Sequence, residues 1–206
     1  MINQESLKKD LIELSPKEFF IKHIVKSHNW YFVDYLHTPS DEVLDKLDRF
    51  YEIVSSQLQI SFHSLQMVGS AKTGYSLSPD KLLHPFHEET PESKSSDIDI
   101  AIVSEKWYRL LWDELRNIKR NQYVRPYQRI TSSIFRGFIN EKDILELDPI
   151  REQWFSNISP INIKLQDELQ IVHPITYRIY RSWEDLEEYQ IGGISLAKQR
   201  MEESNV

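Results

Sequence analysis

Two acids one residue apart, Asp97 and Asp99, open the run Asp97-Ile98-Asp99-Ile100-Ala101-Ile102-Val103. The run has strong β character. Alternate residues of a strand share a face, so the two carboxylates are expected side by side, about 6–7 Å apart. Ile98, Ile100 and Ile102 then turn to the core. Two ionised carboxylates this close repel each other and need a cation between them or free access to water. Hard divalent cations prefer oxygen ligands, and Mg²⁺ commonly takes one or two carboxylates plus substrate phosphates. The plain alternative is a strand that starts at a solvated edge. Upstream, the apolar run Leu65-Gln66-Met67-Val68 ends in Gly69-Ser70 and continues as Ala71-Lys72-Thr73-Gly74-Tyr75-Ser76. Glycine lets the backbone approach a phosphate, Ser70 offers a hydroxyl donor and Lys72 a charge. Free amides at a following helix start also favour an anion. Thr73 and Ser76 extend the set of candidate phosphate donors. The plain alternative here is an ordinary glycine turn.

Together, Met67-Val68-Gly69-Ser70 and Ser96-Asp97-Ile98-Asp99-Ile100-Ala101-Ile102-Val103 resemble the signature of the DNA polymerase β-like nucleotidyltransferase superfamily. The resemblance covers roughly Leu65 to Ile118, with the strand near Tyr177 as its continuation. It implies that Gly69 and Ser70 hold the triphosphate of an NTP substrate and that Asp97 and Asp99 hold two Mg²⁺ ions. The metals would activate an acceptor hydroxyl, stabilise charge on the α-phosphorus and neutralise the pyrophosphate leaving group. It extends to small stand-alone enzymes of bacterial toxin–antitoxin and phage-defence (antiviral) systems, which most often transfer AMP.

The sequence departs from this pattern twice. Ser70 and Asp97 are 27 positions apart, so 77–95 reads as an insertion, a lid or partner-contact loop. It carries His84-Pro85-Phe86-His87, a histidine pair without companion ligands. Active members also add a third carboxylate from a later strand. Glu146, between Leu145 and Leu147, is one candidate, and Glu168, before Leu169-Gln170-Ile171-Val172, is another. In the late strand Ile175-Thr176-Tyr177-Arg178-Ile179-Tyr180 the corresponding residues are Thr176 and Arg178. An arginine there binds phosphate or marks a degenerate site.

The elements that must position these residues are legible in part. Ser15-Pro16-Lys17-Glu18 has the form of a capped helix start, and Thr38-Pro39-Ser40-Asp41 resembles a second. Val43, Leu44, Leu47, Phe50, Tyr51, Val54 and Leu58 then recur at spacings of three and four, the stripe of an amphipathic helix. Ser76 to Ser96 is rich in Pro, Ser, Glu and His and reads as a long loop. Trp107, Leu110, Leu111, Leu115 and Ile118 share one helical face. Tyr123 to Leu169 is mixed. Ser182-Trp183-Glu184-Asp185 starts a C-terminal helical segment that Gly192-Gly193 is expected to break or kink. The order predicts a mixed α/β (α+β) sheet with N- and C-terminal helices packed on it. A helical segment over 1–60 and a nucleotidyltransferase-like domain over 61–206, carrying the inserted loop 77–95, are expected to form one unit.

Composition narrows the function classes. The 206 residues are 40% hydrophobic and 12% aromatic, enough to bury a core. There is no cysteine, which excludes disulfides, thiolate zinc sites and a cysteine nucleophile. No run is long and apolar enough for a membrane span and the N-terminus lacks an apolar signal region, so a cytoplasmic protein without membrane contact is expected. The net charge of −7 argues against a whole-surface nucleic-acid binder. Between 106 and 136, however, eight basic residues (Lys106, Arg109, Arg116, Lys119, Arg120, Arg125, Arg129, Arg136) face two acids, Asp113 and Glu114. That segment is either a solvated helix face with a basic loop or a patch for polyphosphate or an RNA end. Trp107 reads as core, and Tyr75 is a candidate contact for a nucleobase.

Two functions follow. The first is a Mg²⁺-dependent nucleotidyltransferase moving a nucleoside monophosphate from NTP to a protein, an RNA end or a small molecule. The second is a non-catalytic module on the same fold that binds nucleotide or a protein partner, such as an antitoxin or defence component. An unrelated α/β protein with coincidental motifs is the third alternative.

Overall fold

A computed structural model of the chain describes residues 3–26, 28–87, 90, 94–121 and 127–204. Its strands are β1 (Leu65–Val68), β2 (Ile98–Val103), β3 (Phe138–Asn140) and β4 (Ile175–Tyr180). They form one mixed sheet in the order β1-β2-β4-β3. The central strands β2 and β4 run parallel, and the edge strands β1 and β3 are antiparallel to them. β2 is almost wholly apolar because both of its faces are covered. Ile98, Ile100 and Ile102 enter one hydrophobic core, whereas Ala101 and Val103 enter a second on the opposite face.

The first face is covered by α3 (Val43–Leu58), α5 (Glu105–Asn121), α6 (Tyr127–Phe135) and α8 (Asp148–Leu169). In α3 the stripe Val43, Leu47, Phe50, Val54 and Leu58 is buried. Leu44 is 59% exposed, because one residue past Val43 the helix has turned by about 100°. The helix starts at Val43 without a side-chain cap, later than the Thr38-Pro39 signal suggests, and Thr38 is itself buried. Trp107, Leu111, Leu115 and Ile118 of α5 pack as their spacing predicts.

The second face is covered by α1 (Gln4–Glu13), α2 (Pro16–Phe20) and α9 (Trp183–Ser204). The start of α2 is the capping box its sequence announces. The Ser15 backbone N–H donates to Glu18 at 2.9 Å, and the Glu18 N–H donates to the Ser15 hydroxyl at 3.3 Å. The helix α9 continues through Gly192-Gly193 without a break. Leu186, Ile194, Ala197 and Met201 pack into the second core on either side of the pair. That burial outweighs a propensity cost of about 1 kcal/mol per glycine. Residues before 60 supply both cores, Leu7 and Phe19 to one and Tyr31 and Phe50 to the other. The helical N-terminal segment is therefore built into the sheet's packing.

Two short helices complete the frame, α4 (Gly69–Thr73) after β1 and α7 (Glu141–Ile144) after β3. The described part of the 76–96 loop lies on the body. Phe86 is buried among Trp30, Tyr31, Tyr35 and His173, with ring centroids 4.9–5.7 Å away. Its N–H donates to the Gly74 carbonyl at 2.9 Å. No helix among the described residues is long and apolar enough to cross a membrane.

Candidate functional site

The sheet topology brings four strand ends to one polar rim. The C-terminal ends of β1 and β3 meet the N-terminal ends of β2 and β4. The antiparallel register sets Val68 opposite Asp99, and the parallel register sets Thr176 beside Asp99. Between this rim, α9 and the 76–96 loop lies a cleft of about 1860 Å³. Gly69, Ser70, Ser76, Asp97, Asp99 and Arg178 line it.

Asp99 and Gly69 touch. A Cβ added at Gly69 would collide with Oδ2 of Asp99, and Gly69 has φ +68°, the left-handed region that glycine adopts without penalty. The glycine is thus needed for two reasons, the exit turn from β1 and the carboxylate packed on it. The other oxygen, Oδ1, accepts a 2.9 Å hydrogen bond from the Thr176 hydroxyl. Burial, with the charge of Asp97 next, raises the Asp99 carboxyl to about 6, against lowering influences from Thr176, Arg178 and Lys142. Asp97 sits one residue before β2, half-buried on the same cleft.

Arg178 follows Thr176 by two residues on β4, paired in register with Ala101. Its Nε donates to Oδ1 of Asn140 at 2.8 Å. Its guanidinium carbon lies 4.5 Å from the Tyr189 ring centroid and 5.4 Å from that of Phe138. The two carboxylates proposed from sequence to complete a metal shell lie elsewhere. Glu168 ends α8 in an exposed ion pair with Arg49 at 2.7 Å. Glu146 pairs with Arg129 at 2.5 Å. Neither lines the cleft. Among the described residues no group of three or more His, Cys, Asp or Glu is placed to hold a metal ion. The donor set of Asp97 and Asp99 fits a Mg²⁺ that takes its remaining ligands from water and substrate phosphates.

The other candidates divide. Lys72 is 2% exposed, and its ammonium donates to the Lys26 carbonyl at 2.6 Å rather than lining the cleft. Burial lowers it to about 8. The Thr73 hydroxyl is spent on the Gly69 and Tyr75 carbonyls, at 3.3 and 2.8 Å, and holds the turn. Tyr75 bridges to Pro85 and packs against the second core. His84 and His87 both line the cleft, ring centroids 5.2 Å apart. Trp107 is core, its indole N–H donating to the Leu58 carbonyl at 2.9 Å.

Among the described residues of the basic segment, three arginines are in ion pairs. Arg109 and Arg116 pair with Glu105 and Asp113 on α5, and Arg129 pairs with Asp143 and Glu146. Lys106 is exposed on α5, and Arg136 lines the cleft. The side chains of Lys119 and Arg120, and all of Arg125, lie outside the described residues.

Sequence reading missed Asn140, Glu141, Lys142 and Tyr189 in the cleft wall. Glu141 is partly buried, and its oxygens accept from the Trp154 indole at 2.7 Å and the Tyr177 N–H at 3.0 Å. Burial raises its carboxyl above the ordinary range. The only local signal was Phe138-Ile139 after a glycine, too short a run to mark a strand.

Comparison with known proteins gives no match: no family model, no curated protein and no solved structure is similar to this chain.

Proposed function

We propose that the chain is a nucleotidyltransferase of the DNA polymerase β-like type, binding an NTP in the cleft and transferring its nucleoside monophosphate, AMP for preference, to an acceptor hydroxyl. The observation that carries this reading is the packing of Asp99 directly on Gly69, with Asp97 on the same cleft. A carboxylate and a glycine corner that interlock in this way bring an oxygen ligand for a cation next to backbone that a phosphate can approach.

Asp97 and Asp99 would hold Mg²⁺, which supplies charge neutralisation at the phosphates and acidifies the attacking hydroxyl. The Gly69-Ser70 corner orients the β- and γ-phosphates. The acceptor oxygen bonds to the α-phosphorus as the bond to the bridging oxygen breaks. Pyrophosphate leaves with that electron pair, and the acceptor proton passes to Asp97 or to water. Arg136 at the cleft wall suits an anionic acceptor such as an RNA end. The net charge of −7 favours a protein or small molecule.

A second reading, a module that binds nucleotide or a protein partner without transfer, is favoured by Thr176 and Arg178 at positions where an acid would complete the shell. Incubation of a cell lysate with α-³²P-labelled NTPs, Mg²⁺ and either the native chain or Asp97→Ala/Asp99→Ala separates the two. Label transfer by the native chain alone is expected. If all four NTPs leave the lysate unlabelled although the native chain binds nucleotide, transfer is excluded and the binding module remains.

A further inference from the structure

We propose that Arg178 is a built-in cation for the ligand's phosphates, standing where a third carboxylate would bring a second metal, so that the cleft takes up a polyphosphate with at most one divalent cation. This rests on the nucleotide reading of the same cleft and deepens it.

The register of β4 decides which residues can reach the carboxylate pair. Thr176 lies beside Asp99, and Arg178 is the next residue on that face. Thr176 spends its hydroxyl proton on Asp99 and carries no charge. A third acidic ligand from β4 is therefore replaced by a neutral donor and a cation. A second Mg²⁺ at this corner would meet the guanidinium of Arg178, a like charge, with no carboxylate beyond Asp97 and Asp99 grouped there among the described residues to compensate it.

The side chain is held for a purpose that the fold does not use up. Asn140 fixes Nε, and the Tyr189 and Phe138 rings flank the guanidinium. The Tyr180 hydroxyl sits 3.5 Å from Nη1. Among the described residues Arg178 makes no ion pair with a carboxylate within 4.0 Å, although it is half-buried. Asp185, the nearby acid of α9, is instead clasped by Arg181 at 2.7 and 2.9 Å. A half-buried guanidinium with free donors facing a cleft is suited to phosphate oxygens, which its planar fork can meet two at a time. The cleft wall as a whole carries six basic and five acidic residues, in a chain whose acids outnumber its bases. The cleft wall is thus close to neutral where the chain as a whole is acidic.

Calorimetric titration of the full chain with α,β-methylene-ATP and with inorganic tripolyphosphate, each in Mg²⁺ and in EDTA, tests this. A second arm counts bound Mn²⁺ by electron paramagnetic resonance in the presence of the ATP analogue. The native chain is expected to bind both ligands in EDTA. Arg178→Gln should weaken that binding by about tenfold or more, and Arg178→Lys should recover part of it. Mn²⁺ should saturate at one per chain. Two Mn²⁺ per native chain, or EDTA binding untouched by Arg178→Gln, overturns the proposal while leaving the nucleotide reading intact. Tripolyphosphate binding that depends on Arg178, with no gain for the ATP analogue, has the reverse effect. It upholds Arg178 as the anion site and removes the nucleotide. Binding of neither ligand under any condition overturns both. The Mn²⁺ count uses only the native chain, so a variant that fails to fold does not decide the outcome.

Discussion

Gly69 and Asp99 form a single unit of chemistry and backbone geometry. The glycine sits at a positive φ, and its missing side chain is the space that the carboxylate fills. Gly69→Ala should therefore cost on the order of 2 kcal/mol, from left-handed strain plus displacement of Asp99. In Gly69→Ala/Asp99→Ala the collision with the carboxylate disappears, leaving the strain and a 3.3 Å contact with the Cβ of residue 99, so the double variant should recover part of the loss. Urea denaturation of the four chains reads the coupling directly, and strict additivity would show that the two side chains do not share that space. Lys72 gives a second residue-scale outcome, set by pH. Its folded pKa of about 8 lies below its unfolded value near 10.5. Between these values the unfolded chain holds the extra proton, so raising the pH favours the folded state. Relative to Lys72→Met, the native chain should gain stability from pH 8 to pH 10.5, by at most about 3 kcal/mol. A flat difference across that window would place the ammonium in contact with water. Nucleotide binding should change little in Lys72→Met, because the charge points to the Lys26 carbonyl.

At the scale of elements, what could be read from the sequence and what could not have distinct physical causes. The stripe of α3, the capping box of α2 and the β-branched run of β2 each rest on local periodicity or cap chemistry, and each is present, with Leu44 of the expected stripe turned outward. The strand β3 is three residues long and owes its existence to pairing with β4, a partner about forty residues later. No window of sequence contains that information. The continuity of α9 across Gly192-Gly193 is likewise tertiary, since the flanking apolar residues are held against the sheet and the N-terminal helices. Nothing lies within 4 Å of a Cβ built at either glycine. Gly192→Ala and Gly193→Ala should therefore each stabilise the protein by about 0.5–1 kcal/mol, through helix propensity alone. Thermal denaturation measures this, and a loss of stability would mean that the helix bends at this pair in solution. Both glycines line the cleft, so the same variants show whether a bound phosphate ligand approaches the backbone there.

In the whole molecule, the site depends on which acids the topology gathers. Sequence spacing could bring Asp97, Asp99, Gly69 and Ser70 together because they lie at the adjoining ends of β1 and β2, two paired strands of one local motif. It could not choose among later acids. That choice depends on where α8 and β4 place them, tens of residues away. Glu168 has apolar residues after it, as a strand acid would, yet the helix runs to Leu169 and turns the carboxylate outward to Arg49. Glu146 has apolar neighbours on both sides, yet Leu145 and Leu147 pack in the first core while Glu146 meets Arg129 on the surface. The arrangement puts two of these four acids on the cleft and the other two in separate surface ion pairs. Asp97→Asn should abolish the Mg²⁺-dependent part of α,β-methylene-ATP binding, and Asp99→Asn should do the same while keeping the Thr176 hydrogen bond through its amide oxygen. Glu146→Gln and Glu168→Gln should bind the analogue within about twofold of the native chain, since each loses only an exposed ion pair. Calorimetry of the four variants in Mg²⁺ reads the outcome. A loss of Mg²⁺-dependent binding in Glu168→Gln equal to that in Asp97→Asn would mean that the end of α8 swings onto the cleft when ligand binds, and the rim of the sheet alone would no longer account for the site.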